Sequence, residues 1–419
     1  MRAMANVCRA EPLRRLLCSG PARGFLDPEN APVPARAPEA LHSLASDAFE
    51  ASARVGVLGV PLDDNSSFMR GPALAPRAIR LALHSDSANS WSEAPVAVRP
   101  RSAAQRSQRD ARHGYDMSAG PGVWDAGDLI LPDAGAEHGK VPGGAGHARM
   151  SAVSDGVRAL ARAGLKPLVL GGDHSLTYPI LRGIQRSNAV NEDDAGKGGM
   201  LYSDLTILHF DAHSDMYGYD VAGGDNRYSH ASPFARILED GLAQRVHQIG
   251  VRTMTAHLWQ QQDTLNPGGQ VFTMQEVFLQ GAAQVVRELG ARLGRRAGAE
   301  REGRGRGRTG LYISVDLDCL DPAFAPGVSH YEPGGMSTRE LLYCIQATFP
   351  EAPVVGADLV EMNPLRDPCY QVPTVLGRAP VGPTAMVAAK VAKELVSRLL
   401  GSREQEGGAL TGKARSGPQ

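Results

Sequence analysis

Three short apolar runs in this chain each end in aspartate or histidine, and that repetition narrows the folds open to it more than any other feature. Residues 206–210 (TILHF) run directly into Asp211, His213 and Asp215; residues 168–170 lead through two glycines to Asp173 and His174; residues 312–315 end in Asp316 and Asp318, with Asp321 beyond. Apolar runs this short mark strands buried on both faces of a parallel sheet. In an extended chain, side chains two apart share a face. Asp211, His213 and Asp215 therefore converge at the carboxyl end of their strand, where open α/β sheets bind ligands. A single exit of this kind is equally a cap or a polar turn. Three are not, because burying so many carboxylates together without counter-charge is prohibitive. Bound cations are implied, and the exits read as a metal site.

The rest of the chain supplies a frame for it. A strand is predicted over 54–60 (RVGVLGV), then a polar loop and a helix over 75–83 with Pro76 in its first turn. Residues 86–121 read as a long polar loop, 124–130 as a short strand, 134–146 as a glycine-rich loop and 147–163 as a helix. Strand and helix alternate from there on, which predicts an α/β three-layer sandwich with a mostly parallel central sheet. Residues 191–199, the Gly/Arg run 295–308 and the irregular, proline-containing stretch 369–380 read as insertions. The expected organisation is a transit peptide over 1–24, a linker over 25–50, one catalytic domain over 51–400 and a disordered tail over 401–419.

Composition closes off several classes of function. The formal net charge of −1 points to no nucleic-acid partner and no membrane surface, and no apolar run approaches the ~20 residues that span a bilayer. The 5 cysteines are scattered without a Cys-x-x-Cys pair, which fits a reducing compartment rather than a disulfide scaffold or zinc ribbon. Residues 1–24 carry Arg2, Arg9, Arg14, Arg15 and Arg23 against the single acid Glu11. That arginine-rich, acid-poor composition is the one organellar transit peptides have, and a mitochondrial address is expected, with a plastid as the alternative.

The donor set indicates the chemistry. Aspartates with some imidazole suit Mn²⁺ better than a closed zinc site, and two divalent ions account for the number of ligands. Such a pair turns a water into hydroxide near neutral pH, so hydrolysis is the natural reaction class. Asp211, Asp215, Asp316 and Asp318 balance two divalent ions; a hydroxide, with Glu361 of the run VVGADLVEMNP nearby, leaves the site net negative. A cation such as guanidinium is favoured there.

LGGDHS, HFDAHSD, VDLDCLDP and GADLVEMNP, in this order, resemble the signature segments of the ureohydrolases, the arginase/agmatinase family, and the resemblance spans residues 54–400. It implies an arginase-like sheet, two Mn²⁺ ions per subunit, and release of urea from a guanidino substrate by a hydroxide bridging the ions. It implies His174, Asp211, His213, Asp215, Asp316 and Asp318 as metal ligands, with Asp211 and Asp316 bridging. By the same resemblance His230, in YSHASPFAR, carries a proton to the leaving amine and Glu361 pairs with the guanidinium. Tyr217 falls at a substrate-binding position where animal-type arginases have asparagine and agmatinases tyrosine. NSSFMRGPALAP, DCLDPAFAPGVSHYEPGG and GPTAMVAAK are instead similar to plant-type arginases. The expected reaction is L-arginine to L-ornithine and urea. Agmatine to putrescine and urea, or hydrolysis of another guanidino acid, is the alternative. The presence of both His174 and Asp215 argues against a one-zinc deacetylase of related architecture, and the intact ligand set argues against a catalytically silent homologue. A homo-oligomer, trimer or hexamer, is the expectation by family analogy.

Overall fold

The structure, a computed structural model, describes residues 41, 54–85, 87–93, 122–133, 144–187, 200–218, 226–301, 309–349, 352–374 and 377–401. The expected transit peptide 1–24, the linker 25–50 apart from Leu41, the loop 191–199, most of 86–121 and the tail beyond Gly401 lie outside them.

Strands β1 (Val55–Gly59), β2 (Val123–Asp128), β3 (Lys166–Leu170), β4 (Asp204–Phe210), β5 (Arg245–Val251), β6 (Gln270–Thr273), β7 (Thr309–Asp316) and β8 (Val354–Val360) form one sheet. Their order is β2-β1-β3-β8-β7-β4-β5-β6, and every neighbouring pair is parallel. Helices α1 (Ala75–Leu83), α2 (Gly144–Arg162), α3 (Thr177–Gln185), α4 (Pro233–Glu239), α5 (Ala256–Leu265), α6 (Met274–Gln280), α7 (Ala282–Arg301), α8 (Thr338–Ala347) and α9 (Pro383–Gly401) connect them.

Alternate side chains of each strand enter different cores. Leu168 and Leu170 of β3 and Leu311, Ile313 and Val315 of β7 pack with α1, α7, α8 and α9 on one face. Val169 and Tyr312 pack with α2, α3 and α4 on the other. Both faces are therefore covered, which is why these strands read as near-continuous apolar runs. The three-layer α/β sandwich is as expected. Among the described residues no helix is long and apolar enough to cross a membrane.

The strand order creates the crevice. After β3 the chain skips two positions to lay down β4, β5 and β6, and β7 and β8 fill the gap later. The neighbours β3, β8, β7 and β4 thus end side by side at the switch in direction, where ligands bind in open α/β sheets.

Charge is buried at the far edge too. Arg80, on the buried side of α1, is 5% exposed and reaches β2. Its Nε and Nη2 donate to the two oxygens of Asp125 at 2.8 Å each, and Nη1 donates to Asp128 at 2.5 Å. This fork ties the helix to an edge strand.

Three expectations need correction. Helix α2 begins at Gly144, inside the stretch read as a glycine-rich loop. The Gly/Arg run starts as helix, since α7 continues to Arg301: Arg295, Arg296, Ala297 and Ala299 are strong helix formers, and one Gly298 costs only ~1 kcal/mol against them. Residues 302–308 lie outside the described set. The stretch read as irregular at 369–380 holds β9 (Tyr370–Thr374) and β10 (Gly377–Val381), an antiparallel pair apart from the main sheet. Both of its strands are edges, so Pro373 and Pro380 are tolerated where a central strand would reject them.

Candidate active site

The β3 exit is shaped by a close approach of backbone. A Cβ on Gly172 would lie 1.5 Å from the carbonyl oxygen of Leu62, so only glycine lets the loop after β1 close over this turn. Closure is fastened by Asp173 N–H donating to Leu62 O at 2.9 Å, and Glu361 N–H donating to Gly172 O at 2.9 Å. Asp173 itself does not join the cluster of ligand types. Its carboxylate caps the short 3-10 turn 174–176, accepting from Ser175 N–H at 3.1 Å, and also accepts from Asn65 N–H at 2.9 Å. His174, one residue on, points into the crevice.

There the structure brings all six aspartates and histidines of the sequence reading together. His174 Nδ1 lies 3.0 Å from Asp211 Oδ2, 2.9 Å from Asp215 Oδ2 and 3.3 Å from Asp316 Oδ2. His213 Nδ1 lies 3.4 Å from Asp211 Oδ1 and 3.0 Å from Asp318 Oδ2. Asp211 turns one oxygen to each histidine, so two clusters share it. Although three carboxylate oxygens crowd His174 Nδ1, none is placed to hydrogen-bond it. The donors surround a common region instead of satisfying one another, as a cation-binding set does.

Electrostatics agree. Burial, then Asp318 and Asp211, push the Asp316 carboxyl well above the usual range. Burial and Asp211 push Asp318 up to about 6. Burial acts the same way on Asp211, but its close contacts with His174 and His209 outweigh it and hold that carboxylate well below its ordinary value. Anions forced together in this way call for positive charge. Holding them also strains the backbone: Asp215 has φ 48° and Glu361 φ 61°, in the left-handed region that side chains avoid. Such outliers cost ~1–3 kcal/mol each and cluster at functional sites.

Behind the site, hydrogen bonds fix the imidazoles. Asp358, fully buried, accepts from Ser314 Oγ at 2.7 Å and from Tyr312 OH and Thr177 Oγ1 at 2.8 Å each. With its proton given to Asp358, Ser314 Oγ can only accept from His174 Nε2–H, 2.9 Å away. Nδ1 is thereby the nitrogen turned toward the carboxylates, the one a metal would take. Gln248 Nε2 likewise donates to His209 Nδ1 at 2.9 Å, so His209 Nε2–H donates to Asp211 Oδ2 at 2.8 Å.

His230 and Glu361 meet beside these clusters, Nδ1 to Oε1, at 3.0 Å. Oε1 of Glu361 also accepts His174 N–H at 2.9 Å, while its Oε2 is buried without a hydrogen-bond partner among the described residues. Burial opposes charge on His230, but the hydrogen bond and charge of Glu361 prevail and raise its pKa to about 9. On its other side, Nε2 faces Ser67 N–H at 3.1 Å and Ser67 Oγ at 2.9 Å. Tyr217, half-buried, donates its backbone N–H to Ala231 O at 3.1 Å, next to His230.

Sequence reasoning passed over several residues here. His209 carried a usable signal, two residues before Asp211 and so on the same face of β4. Ser314 stands in the same relation to Asp316 on β7, whereas Asp358, Ser67 and His330 carried none, because their partners come from other strands and loops. His330 sits over His230 with ring centroids 5.1 Å apart.

Comparison with known proteins bears on the same region. The sequence profile of the arginase family matches residues 53–397. The chain is 37% identical over 353 residues to "Arginase 1, mitochondrial" of Arabidopsis thaliana, covering 83% of this chain and 82% of that one. It is 35% identical over 353 residues to "Arginase 2, chloroplastic/mitochondrial" of the same plant, covering 83% and 81%. Among solved structures, an arginase from Medicago truncatula superposes with a TM-score of 0.61 at 31% identity, covering 86% of this chain and 92% of that one. Because the profile match takes in every strand of the sheet and every loop that builds the crevice, the chain belongs to the arginase family of ureohydrolases.

Proposed function

We propose that the protein hydrolyses the guanidino group of L-arginine, giving L-ornithine and urea, with two Mn²⁺ ions per subunit. His174, Asp211, His213, Asp215, Asp316 and Asp318 would hold the ions. The observation that carries this reading is Asp211, whose two oxygens serve two ligand clusters beside an anionic, half-satisfied Glu361. The fit of the residues to metal rests on His174 Nδ1, buried without a hydrogen-bond partner among the described residues, and on an oxygen-rich donor set, which suits Mn²⁺. When bound, such a pair supplies Lewis acidity and lowers the pKa of water into the neutral range.

The chain's own residues do the rest. The unpartnered Oε2 of Glu361 accepts a guanidinium N–H, a charge-assisted bond of the stronger kind. His230, protonated through its contact with Glu361, stands ready to give its proton to the departing amine as the C–N bond breaks. Ser67 faces Nε2 with an N–H that donates and a hydroxyl that can accept, so both protonation states are accommodated. Near-full-length similarity to proteins named arginase favours arginine among guanidino substrates. The test is urea release from arginine, agmatine and guanidinobutyrate with Mn²⁺ supplied. Arginine is expected to lead; a preference for agmatine would replace the substrate, and no urea from any of them would end the reading.

We assign residues 1–24 to organelle import, on their arginine-rich composition and on the mitochondrial and chloroplastic names of the relatives. The mitochondrion is the expected compartment. Removing the segment should abolish import and leave purified activity intact, and import without it would refute the assignment.

A further inference from the structure

His230, His330 and Glu361 form a third group of metal-ligand type, separate from the six residues above, with one ligand atom of each within 4.8 Å of the others. Glu361 is 3% exposed and His230 8%, whereas His330 is half-buried at the mouth of the crevice against the exposed ring of Phe68, at 5.6 Å. The loop carrying His330 is fastened on its amino-terminal side. Val328 pairs with Met362, the residue after Glu361, and Ser329 Oγ donates to Met69 O at 2.8 Å and accepts from Asn363 Nδ2 at 2.9 Å. His330 is thus held in register with Glu361 by their neighbours in the chain. Glu361 brings to the group a buried oxygen, Oε2, that has no hydrogen-bond partner among the described residues.

From this we infer that His230, His330 and Glu361 form an inhibitory site for a borderline-soft divalent ion, Zn²⁺ above all. Two imidazoles and one carboxylate with an open side are the donor set of a three-ligand zinc site. Nitrogen-rich sites rank Zn²⁺ and Co²⁺ above Mn²⁺, while the carboxylate-rich pair of clusters is comparatively tolerant of Mn²⁺. An enzyme loaded with Mn²⁺ therefore leaves this third site open, and added Zn²⁺ fills it. The ion takes the place of the proton shared by His230 and Glu361, which is released to solvent. Binding as such follows from the geometry alone. The inhibition rests on the proposed roles of Glu361 and His230: a zinc ion occupies the carboxylate that receives the guanidinium and immobilises the proton carrier. Inhibition is then competitive with the guanidino substrate.

The experiment uses the Mn²⁺-loaded full chain, wild type and His330→Ala, with His330→Asn as a second variant that retains polarity. Co²⁺ is titrated as a spectroscopic stand-in for Zn²⁺, and bound Mn²⁺ is measured in the same samples. The wild type should develop the intense visible absorption of low-coordinate Co²⁺ and saturate at one equivalent per chain, without losing Mn²⁺. Both variants should lack that band. Zn²⁺ should inhibit urea release competitively in the wild type, and its inhibition constant should rise at least ~10-fold in the variants, since loss of even an indirect partner of a metal costs that much. An equal Co²⁺ band in wild type and variants would overturn the site, as would Zn²⁺ inhibition accompanied by stoichiometric release of Mn²⁺. If no guanidino substrate yields urea, the Co²⁺ titration still decides the site. If the site fails, urea release from uninhibited enzyme is untouched.

Discussion

At the scale of single residues, the proposed roles separate metal ligands from groups that only act on substrate. Asp211 faces both histidine clusters, so Asp211→Ala should lose bound metal and nearly all urea release, because the remaining positive charge is uncompensated. His230 touches Glu361 and Ser67 and lies outside both Asp211 clusters. His230→Ala should therefore keep both metals and lose ~10²–10⁴ in kcat, with KM changed less, as expected for a missing proton donor. Metal content and kcat measured on the same two preparations check the contrast; full turnover in either variant would refute its assignment. Ser314 tests the supporting bonds. Ser314→Ala removes the acceptor that holds His174 Nε2–H and leaves Asp358 short of a donor. Mn²⁺ affinity should fall ~10–100-fold, read by equilibrium dialysis, with the sheet itself intact by circular dichroism.

At the scale of elements, the strand ends do the positioning and one ion pair fastens the edge. β3, β4, β7 and β8 each deliver their polar residues within a few positions of the last sheet hydrogen bond, so the six clustered aspartates and histidines need no long loop to be ordered, whereas His230 arrives on the connection between β4 and α4. Helix α1 and edge strand β2 are joined through Arg80 and Asp125, side chains only 6% and 1% exposed. Arg80→Ala strands a buried carboxylate and should destabilise by ~3–5 kcal/mol, measured by urea denaturation. A loss below about 1 kcal/mol, the scale of an exposed pair, would mean that the fork is dispensable. The strand pair β9–β10 follows Glu361 closely in the chain yet forms no part of the main sheet.

At the scale of the whole molecule, metal and fold should be coupled. Mutually repelling buried carboxylates at the switch point of one cooperative sheet destabilise the apo form, and ions that bind only the folded state add RT ln(1 + [L]/Kd) of stability. Stripping Mn²⁺ with a chelator should therefore lower the melting temperature, by more than the same treatment does for Asp211→Ala, and restoring Mn²⁺ should recover it. Equal melting temperatures with and without metal would show that the carboxylates are relieved in some other way.

Read alone, the sequence determined a great deal of this protein: the α/β class, α1 to its end residues, the strands beneath the motifs, and the six residues that meet at their ends. It could do so because period-2 patterning and apolar runs are local signals, and because ligand types at i, i+2 and i+4 after a strand are legible without knowing the strand's neighbours. Local composition misled where helix formers outweighed glycine in α7 and where prolines concealed β9 and β10. Tertiary structure alone decided the rest. That Asp173 is a cap while its neighbour His174 joins the cluster depends on Leu62 and Asn65, over a hundred residues away. The left-handed backbone at Asp215 and Glu361 could not be foreseen, since propensity would put glycine there and the proposed chemistry calls for carboxylates. The tautomer of His174, and the meeting of His330 with His230 and Glu361, exist only once strands distant in the chain lie side by side. Hydrogen bonds and repulsions act over a few ångströms in space, and the sequence records only distance along the chain.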